Sequence, residues 1–168
     1  MASEWHIAQI NVATALYPAD DPRMSDFYSR LDDVNALADG SPGFVWRLQS
    51  ESGNATDIQV GEDPLLIVNM SVWQSVEALF DFAYKSAHRH VVADRRQWFS
   101  RPDGAYQALW WVPAGHRPSV EEGMARLELL RESGPGPRAF TFKRRFPPPG
   151  RSQVPEVPDP DQYCSGWS

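Results

Sequence analysis

Three stretches of this chain alternate apolar and polar side chains with a period of two, and each carries its polar groups in one register: Gln9 and Asn11, Arg47 and Gln49, Asn69 and Ser71. A period of two is the signature of a strand, whose side chains point alternately to opposite faces. If the three strands pair, the sheet gains one apolar face and one face of converging amides, guanidinium and hydroxyl. That is the usual form of a small-molecule pocket.

The remaining segments supply the other elements. Trp5 to Leu16 reads as strand one. Asp21 ahead of Pro22 marks a helix start, and Met24, Phe27, Leu31, Val34 and Leu37 recur at helical spacing up to Gly40. Ser41-Pro42-Gly43 turns the chain into a second strand, Phe44 to Ser50, which a polar loop from Glu51 to Gly61 separates from a third, Leu65 to Trp73. Ser75 caps a second helix whose apolar stripe of Val76, Leu79, Phe80, Ala83, Ala87, Val91 and Trp98 predicts a span to about Phe99. Arg101-Pro102-Asp103-Gly104 stops it. Tyr106 to Val112 is strand four. Ser119 and Glu122 have capping-box spacing ahead of a third helix that ends near Gly134, and Ala139 to Phe146 reads as a short fifth strand.

The order β-α-β-β-α-β, followed by α and β, is the split βαβ arrangement of ferredoxin-like α+β domains with an antiparallel sheet. The extra helix and strand are C-terminal to it. The domain occupies residues 1–146. Residues 147–168 contain six prolines and form a proline-rich tail, extended or disordered, because proline removes ladder donors and breaks helices. In strand one, Ala8, Ile10 and Val12 are assigned to the face covered by the first two helices, with Gln9, Asn11 and Ala13 facing away. That second face also carries Ile7, Ile67, Trp73 and one of Trp110 or Trp111, too much apolar surface for water. A second copy of the sheet is the expected cover, which makes a homodimeric α/β barrel; the alternative is the third helix folded over that face.

Charge and composition remove several function classes. A formal charge of −6 argues against nucleic acid or an anionic membrane as partner. Cys164 is the single cysteine, so an internal disulfide or a cysteine-rich metal site is excluded and no metal site is predicted. The N-terminus lacks signal-peptide character and no apolar run approaches the roughly 20 residues needed to span a bilayer, so a cytoplasmic location is expected. Glycine-rich nucleotide loops, His-Glu-x-x-His and Gly-x-Ser-x-Gly are missing from the sequence.

Several side chains are candidates for a site. Tyr84, His88, Val91 and Arg95 lie at i, i+4, i+7 and i+11 of the expected second helix, which puts a phenol, an imidazole and a guanidinium on one flank. Histidine suits proton transfer and arginine suits an oxyanion. The bland alternative is a half-exposed flank on which Tyr84 packs and Arg95 pairs with an acid such as Asp94 of another copy. His90, two positions from His88, points elsewhere. Trp46 and Arg47 must face opposite ways; Arg47 needs an anion, either a ligand or a protein carboxylate. Trp110 and Trp111 divide in the same manner, one toward the pocket and one into the core. His116 stands either at the pocket mouth or in solvent.

The strings AQINVA, DDPRMSDF, SPGFVWRLQ, VNMSVWQSVEALFDFAYKSAH, RRQWF, LWWVPAGHRPSVEE and AFTFKRRF resemble the bacterial family called domain of unknown function 3291, over residues 6–146. The resemblance implies a dimeric α/β-barrel fold similar to that of the antibiotic-biosynthesis and haem-degrading monooxygenases, isomerases and cyclases. It implies no settled activity, since sites differ on a shared scaffold. In haem-degrading relatives an asparagine on strand one, a tryptophan near strand three and a histidine on the second long helix form the site. Asn11, Trp73 and His88 are those residue types on the corresponding elements, which makes haem a possible cofactor; otherwise no cofactor is predicted.

Two function classes follow. One is an enzyme of this barrel type, a monooxygenase, isomerase or cyclase acting on a hydrophobic, aromatic or polyketide-like small molecule. In it His88 moves a proton, Asn11, Arg47 and Asn69 hold an oxyanion or oxygen, and Tyr84, Trp73, Trp110 and Arg95 contact the substrate. The other is a binding protein with the same pocket and no turnover.

Overall fold

A computed structural model describes residues 4–49, 61–86 and 94–163. In chain order the elements are β1 (Trp5–Thr14), α1 (Ser25–Asp39), β2 (Phe44–Arg47), β3 (Leu66–Trp73), α2 (Val76–Phe80), β4 (Gln107–Pro113) and α3 (Val120–Ser133). The strands form one antiparallel sheet in the order β2-β3-β1-β4. The fold is mixed α+β.

Local chemistry sets the helix limits. The Asp21 carboxylate accepts from the Arg23 backbone N–H at 2.9 Å and opens a 3-10 turn, Pro22–Met24, that feeds α1. Ser75 accepts from Ala78 N–H at 3.1 Å to start α2, and Ser119 accepts from Glu122 N–H at 3.1 Å to start α3. Only half of the expected capping box forms at α3, because the Glu122 carboxylate turns instead to Trp110 Nε1 (2.9 Å) and His116 Nε2 (2.8 Å). Gly134 ends α3 with φ of 72°, a conformation that costs glycine little.

Both faces of the sheet are covered within one chain. On the first, Ala8, Ile10, Val12, Val68, Met70, Val72, Ala108, Trp110 and Val112 pack with Leu127 and Leu130 of α3. At Gly123 the helix comes so close that an added Cβ would lie 2.9 Å from Ile10 Cδ1. On the second face Ile7, Trp73 and Leu109 pack with Ala38 of α1 and with Val76, Leu79 and Phe80 at α2. A third cluster joins Ala15, Met24, Phe27, Trp98 and Phe99.

This corrects the expected assignment of faces. The first two helices cover the Gln9 and Asn11 face, and α3 covers the Ala8, Ile10 and Val12 face. Alternation alone did not decide it, because Ile7, Trp73 and Leu109 share the register of Gln9 and make that face apolar at one end. Among the described residues the sheet therefore has no broad apolar face that needs a second copy of the chain as its cover.

Two further expectations are corrected. The second helix does not run to Phe99: after Phe80 it passes into a π-helical turn, Asp81–Lys85, and Ser86 is extended with ψ of −177°. The Ser86 hydroxyl donates to the Phe82 carbonyl, which a continuing α-helix would bond through the residue 86 N–H, so side chain competes with backbone at the point of breakage. The fifth strand is reduced to a single bridge to the sheet, Leu109 with Phe140. Turns on both sides, Gly136 with Ala139 and Thr141 with Arg144, keep that pairing from spreading.

From Pro147 to Tyr163 the chain runs over the α2 side of the body. Arg145 donates to the Pro155 carbonyl at 2.6 Å, Lys143 pairs with Asp161 at 2.6 Å, Val157 packs on the second cluster and Pro160 is buried. The Tyr163 ring meets Phe80 edge-on at 5.6 Å.

Candidate binding cavity

The polar register is not spread evenly over its face. Near one end it is apolar, closed by Ile7, Trp73 and Leu109. In the middle it is a hydrogen-bonded amide patch: Gln9 Nε2 donates to Asn69 Oδ1 at 2.8 Å and to Ser71 Oγ at 2.9 Å, and Gln9 Oε1 accepts from Asn11 Nδ2 at 3.2 Å. Ser71 Oγ also accepts from Trp73 Nε1 at 2.9 Å. Gln9 is only 3% exposed, so its amide has to find these partners inside the protein. Beyond the patch, toward Thr14, the face opens.

There a cavity of about 370 Å³ opens at this end of the sheet, bordered by α1 on the Asn11 face and reaching Val12, Val68 and Arg131 on the α3 side. Asn11, Ala13, Ile67 and Asn69 contribute from the strands and Phe27, Leu31, Val34 and Asn35 from α1. Tyr84, Arg95, Phe99, Arg101, Asp103, Gln107 and Arg131 complete much of the remaining lining. The volume is within the usual range for small-molecule sites. Its walls are greasy on the helix side and amide-rich on the sheet side.

The expected site residues divide accordingly. Asn11, Asn69, Tyr84 and Arg95 line this one cavity. Tyr84 belongs to the π-helical turn and Arg95 to a 3-10 turn, Arg95–Gln97, so the single helical row that was expected to join them does not exist. His88 and His90 lie outside the described residues. Asp94 pairs with Arg30 of its own chain at 2.7 Å. Arg47 faces the same side as Ser71 but bonds Asp39 at the end of α1, Nε to Oδ1 at 2.8 Å, and is not part of the cavity lining. A protein carboxylate thus supplies its counterion.

Neither tryptophan assigned to the substrate reaches the cavity. Trp110 is fully buried on the opposite face beneath α3, while Trp111 packs beside Phe140 and donates to the Phe146 carbonyl at 3.0 Å. Trp73 is also fully buried, edge-on to Phe44 at 5.4 Å and stacked on Phe82 at 5.0 Å. With its faces occupied and its N–H held by Ser71, Trp73 does not join Asn11 in the cavity. Of the expected haem-type constellation, Asn11 lines the cavity, Trp73 does not, and His88 lies outside the described residues.

His116 stands away from the cavity on Glu122. Partial burial acts to raise the Glu122 carboxyl, but the hydrogen bonds from His116 and Trp110 outweigh it and hold the group below its ordinary value. Sequence reasoning passed over Arg101 and Asp103, which read only as a helix stop, and Gln107, placed in β4 without a role. Gln9 stood in plain view in the alternation, yet its part as the organiser of the amides depends on pairing between strands.

Fold and cavity together define a mixed α+β protein whose single antiparallel sheet carries helices on both faces and a small-molecule-sized hollow at one end of its polar register. The chain belongs to the family described as Domain of unknown function (DUF3291), which matches residues 6–156 and so extends into the proline-rich tail. No curated protein matches the chain. Among solved structures, the chain is similar to the NE2512 protein of unknown function from Nitrosomonas europaea, at 12% identity and a TM-score of 0.42, over 69% of this chain and 97% of that one.

Proposed function

We propose that the protein binds a hydrophobic small molecule, one at a time, with the apolar body against Phe27, Leu31 and Val34 and its polar atoms on the amides of Asn11 and Asn69. The observation that carries the reading is the position of those two amides on the floor of a 370 Å³ cavity with an apolar facing wall. The strand order β2-β3-β1-β4, with α1 and α2 on one face, supports reading the body as a ferredoxin-like split βαβ unit. In a barrel-type dimer of such units the free face of the sheet meets its partner; α3 occupies that face here, so on this reading each chain carries its own site.

The test uses the neutral dye Nile red and Ala13→Leu, which adds volume where Ala13 lines the cavity. Wild-type protein should bind one equivalent saturably. The variant should unfold at a similar temperature and bind at least about tenfold more weakly, since filling a site removes the space the ligand must occupy. Unchanged binding in Ala13→Leu overturns the reading.

A catalytic form of this proposal makes the protein a monooxygenase-, isomerase- or cyclase-like enzyme with His88 as the proton-transfer group. The observation favouring it is that Tyr84 and Arg95, on either side of the segment that carries His88, both line the cavity. Nile red should shift the His88 imidazole resonances in an NMR titration; resonances that stay put during saturation remove His88 from the site.

A further inference from the structure

Among the described residues that line the cavity, cations outnumber anions in a chain of negative net charge. The protein carries −6 overall, yet the charged side chains among the described lining residues are Arg95, Arg101 and Arg131 against Asp103 alone. Arg131 is engaged, donating to the Ala105 carbonyl and pairing with Glu128, both at 2.8 Å. Arg101 is exposed on the loop after Phe99 and has no ion pair or hydrogen bond among the described residues.

The floor complements this cation. Asn69 Oδ1 is taken by Gln9, which turns the Asn69 Nδ2 group away from Gln9; those N–H donors have no partner among the described residues. A cation and amide donors lining one apolar hollow are the two kinds of group that an oxyanion attached to a hydrocarbon would require.

We infer that the cavity selects amphipathic monoanions: carboxylates on an aliphatic or single-ring body, with the carboxylate drawn to Arg101 and the body laid against Phe27 and Leu31. The inference rests on the binding reading above and adds the sign and class of the ligand. An ammonium or a neutral alcohol of the same length makes the same apolar contacts and lacks the matching charge. Discrimination therefore comes from the head group.

Displacement of Nile red by octanoate, octanol and octylamine near neutral pH tests this. Octanoate should displace the dye at roughly tenfold lower concentration than octanol, the size expected of one charge-assisted contact near the surface, and the gap should narrow with added salt. Arg101→Gln, a change at an exposed position, should remove most of the gap by weakening octanoate far more than octanol. Equal displacement by octanoate and octanol, with dye binding intact, overturns the anion selectivity and spares the cavity. A gap that persists in Arg101→Gln overturns the role of that residue, and preference for octylamine overturns the sign. Failure of the wild type to bind the dye at all removes the cavity reading and this inference with it.

Discussion

Asn11 and Asn69 are register partners across β1 and β3, yet their side chains are joined through Gln9 rather than to each other. Both amides line the cavity, while the glutamine that orients them is buried behind them. Orientation of the cavity-lining amides thus depends on a residue that is not part of the lining.

Gln9→Leu should therefore lower stability and loosen the floor together. It deletes donors to Asn69 Oδ1 and Ser71 Oγ and the acceptor for Asn11, and buried groups left without partners cost about 1–3 kcal/mol. Part of that cost is relieved because Asn11 and Asn69 can turn to water in the cavity. The midpoint of urea unfolding should fall accordingly; a change smaller than the error of the measurement would show that the amide patch contributes little.

Gly123 reports how tightly α3 is laid on the sheet. Gly123→Ala gains about 1 kcal/mol of helix propensity, but the new Cβ would lie 2.9 Å from Ile10 Cδ1 and 3.0 Å from the Met70 Cε and Sδ atoms, which must shift. These are the far ends of flexible side chains, so the two effects should nearly cancel. Gly123→Leu has no such escape and should destabilise by about 1–3 kcal/mol. Equal stability of the alanine and leucine variants in thermal unfolding would contradict the close approach.

The Glu122 carboxylate should make stability fall in acid. Its folded pKa lies below the ordinary 4.5, so the unfolded chain binds the proton more readily. Its stabilising contribution is complete above the unfolded value and is lost as pH drops from there through the folded pKa. Glu122→Gln, which keeps an acceptor for Trp110 Nε1, should flatten that part of the pH profile. Glu122→Ala leaves the buried indole N–H without its partner and should cost about 1–3 kcal/mol at neutral pH. A wild-type profile that matches that of Glu122→Gln between neutrality and acid would disprove the assignment.

Removing everything after Phe146 should leave a folded body of lower stability. The truncation strips Val157 and Tyr163 from the aromatic group of Phe80, Tyr84 and Phe142, and burial of one such side chain is worth roughly 1.5–3 kcal/mol before the cost of ordering the tail is set against it. The net loss should be about 1–3 kcal/mol by chemical denaturation. An unfolded product would show that the tail is part of the core.

Strand positions and the ends of α1 and α3 were legible because caps, turns and period-two alternation are local signals. Asp21, Ser75, Ser119 and Gly134 do at the ends of helices what their chemistry requires. The choice of sheet face was hidden because Ile7, Trp73 and Leu109 make the polar register apolar where α2 sits, a fact visible only once strands are paired. The stripe through Trp98 mimicked a long helix since Trp98 is indeed buried, but in the cluster with Phe27 and after a break at Ser86. For the site, the amides were readable from spacing. Arg101 was not, because a loop residue acquires its place only through the elements that bring the loop back over the sheet.

Tyr84 has one side in the cavity and another against the tail, its ring 6.4 Å from that of Tyr163 and 5.5 Å from that of Phe142. On the binding reading proposed above, such a shared wall makes occupancy and tail docking thermodynamically reciprocal: whatever factor the docked tail contributes to ligand affinity, the ligand returns to the tail's docking equilibrium.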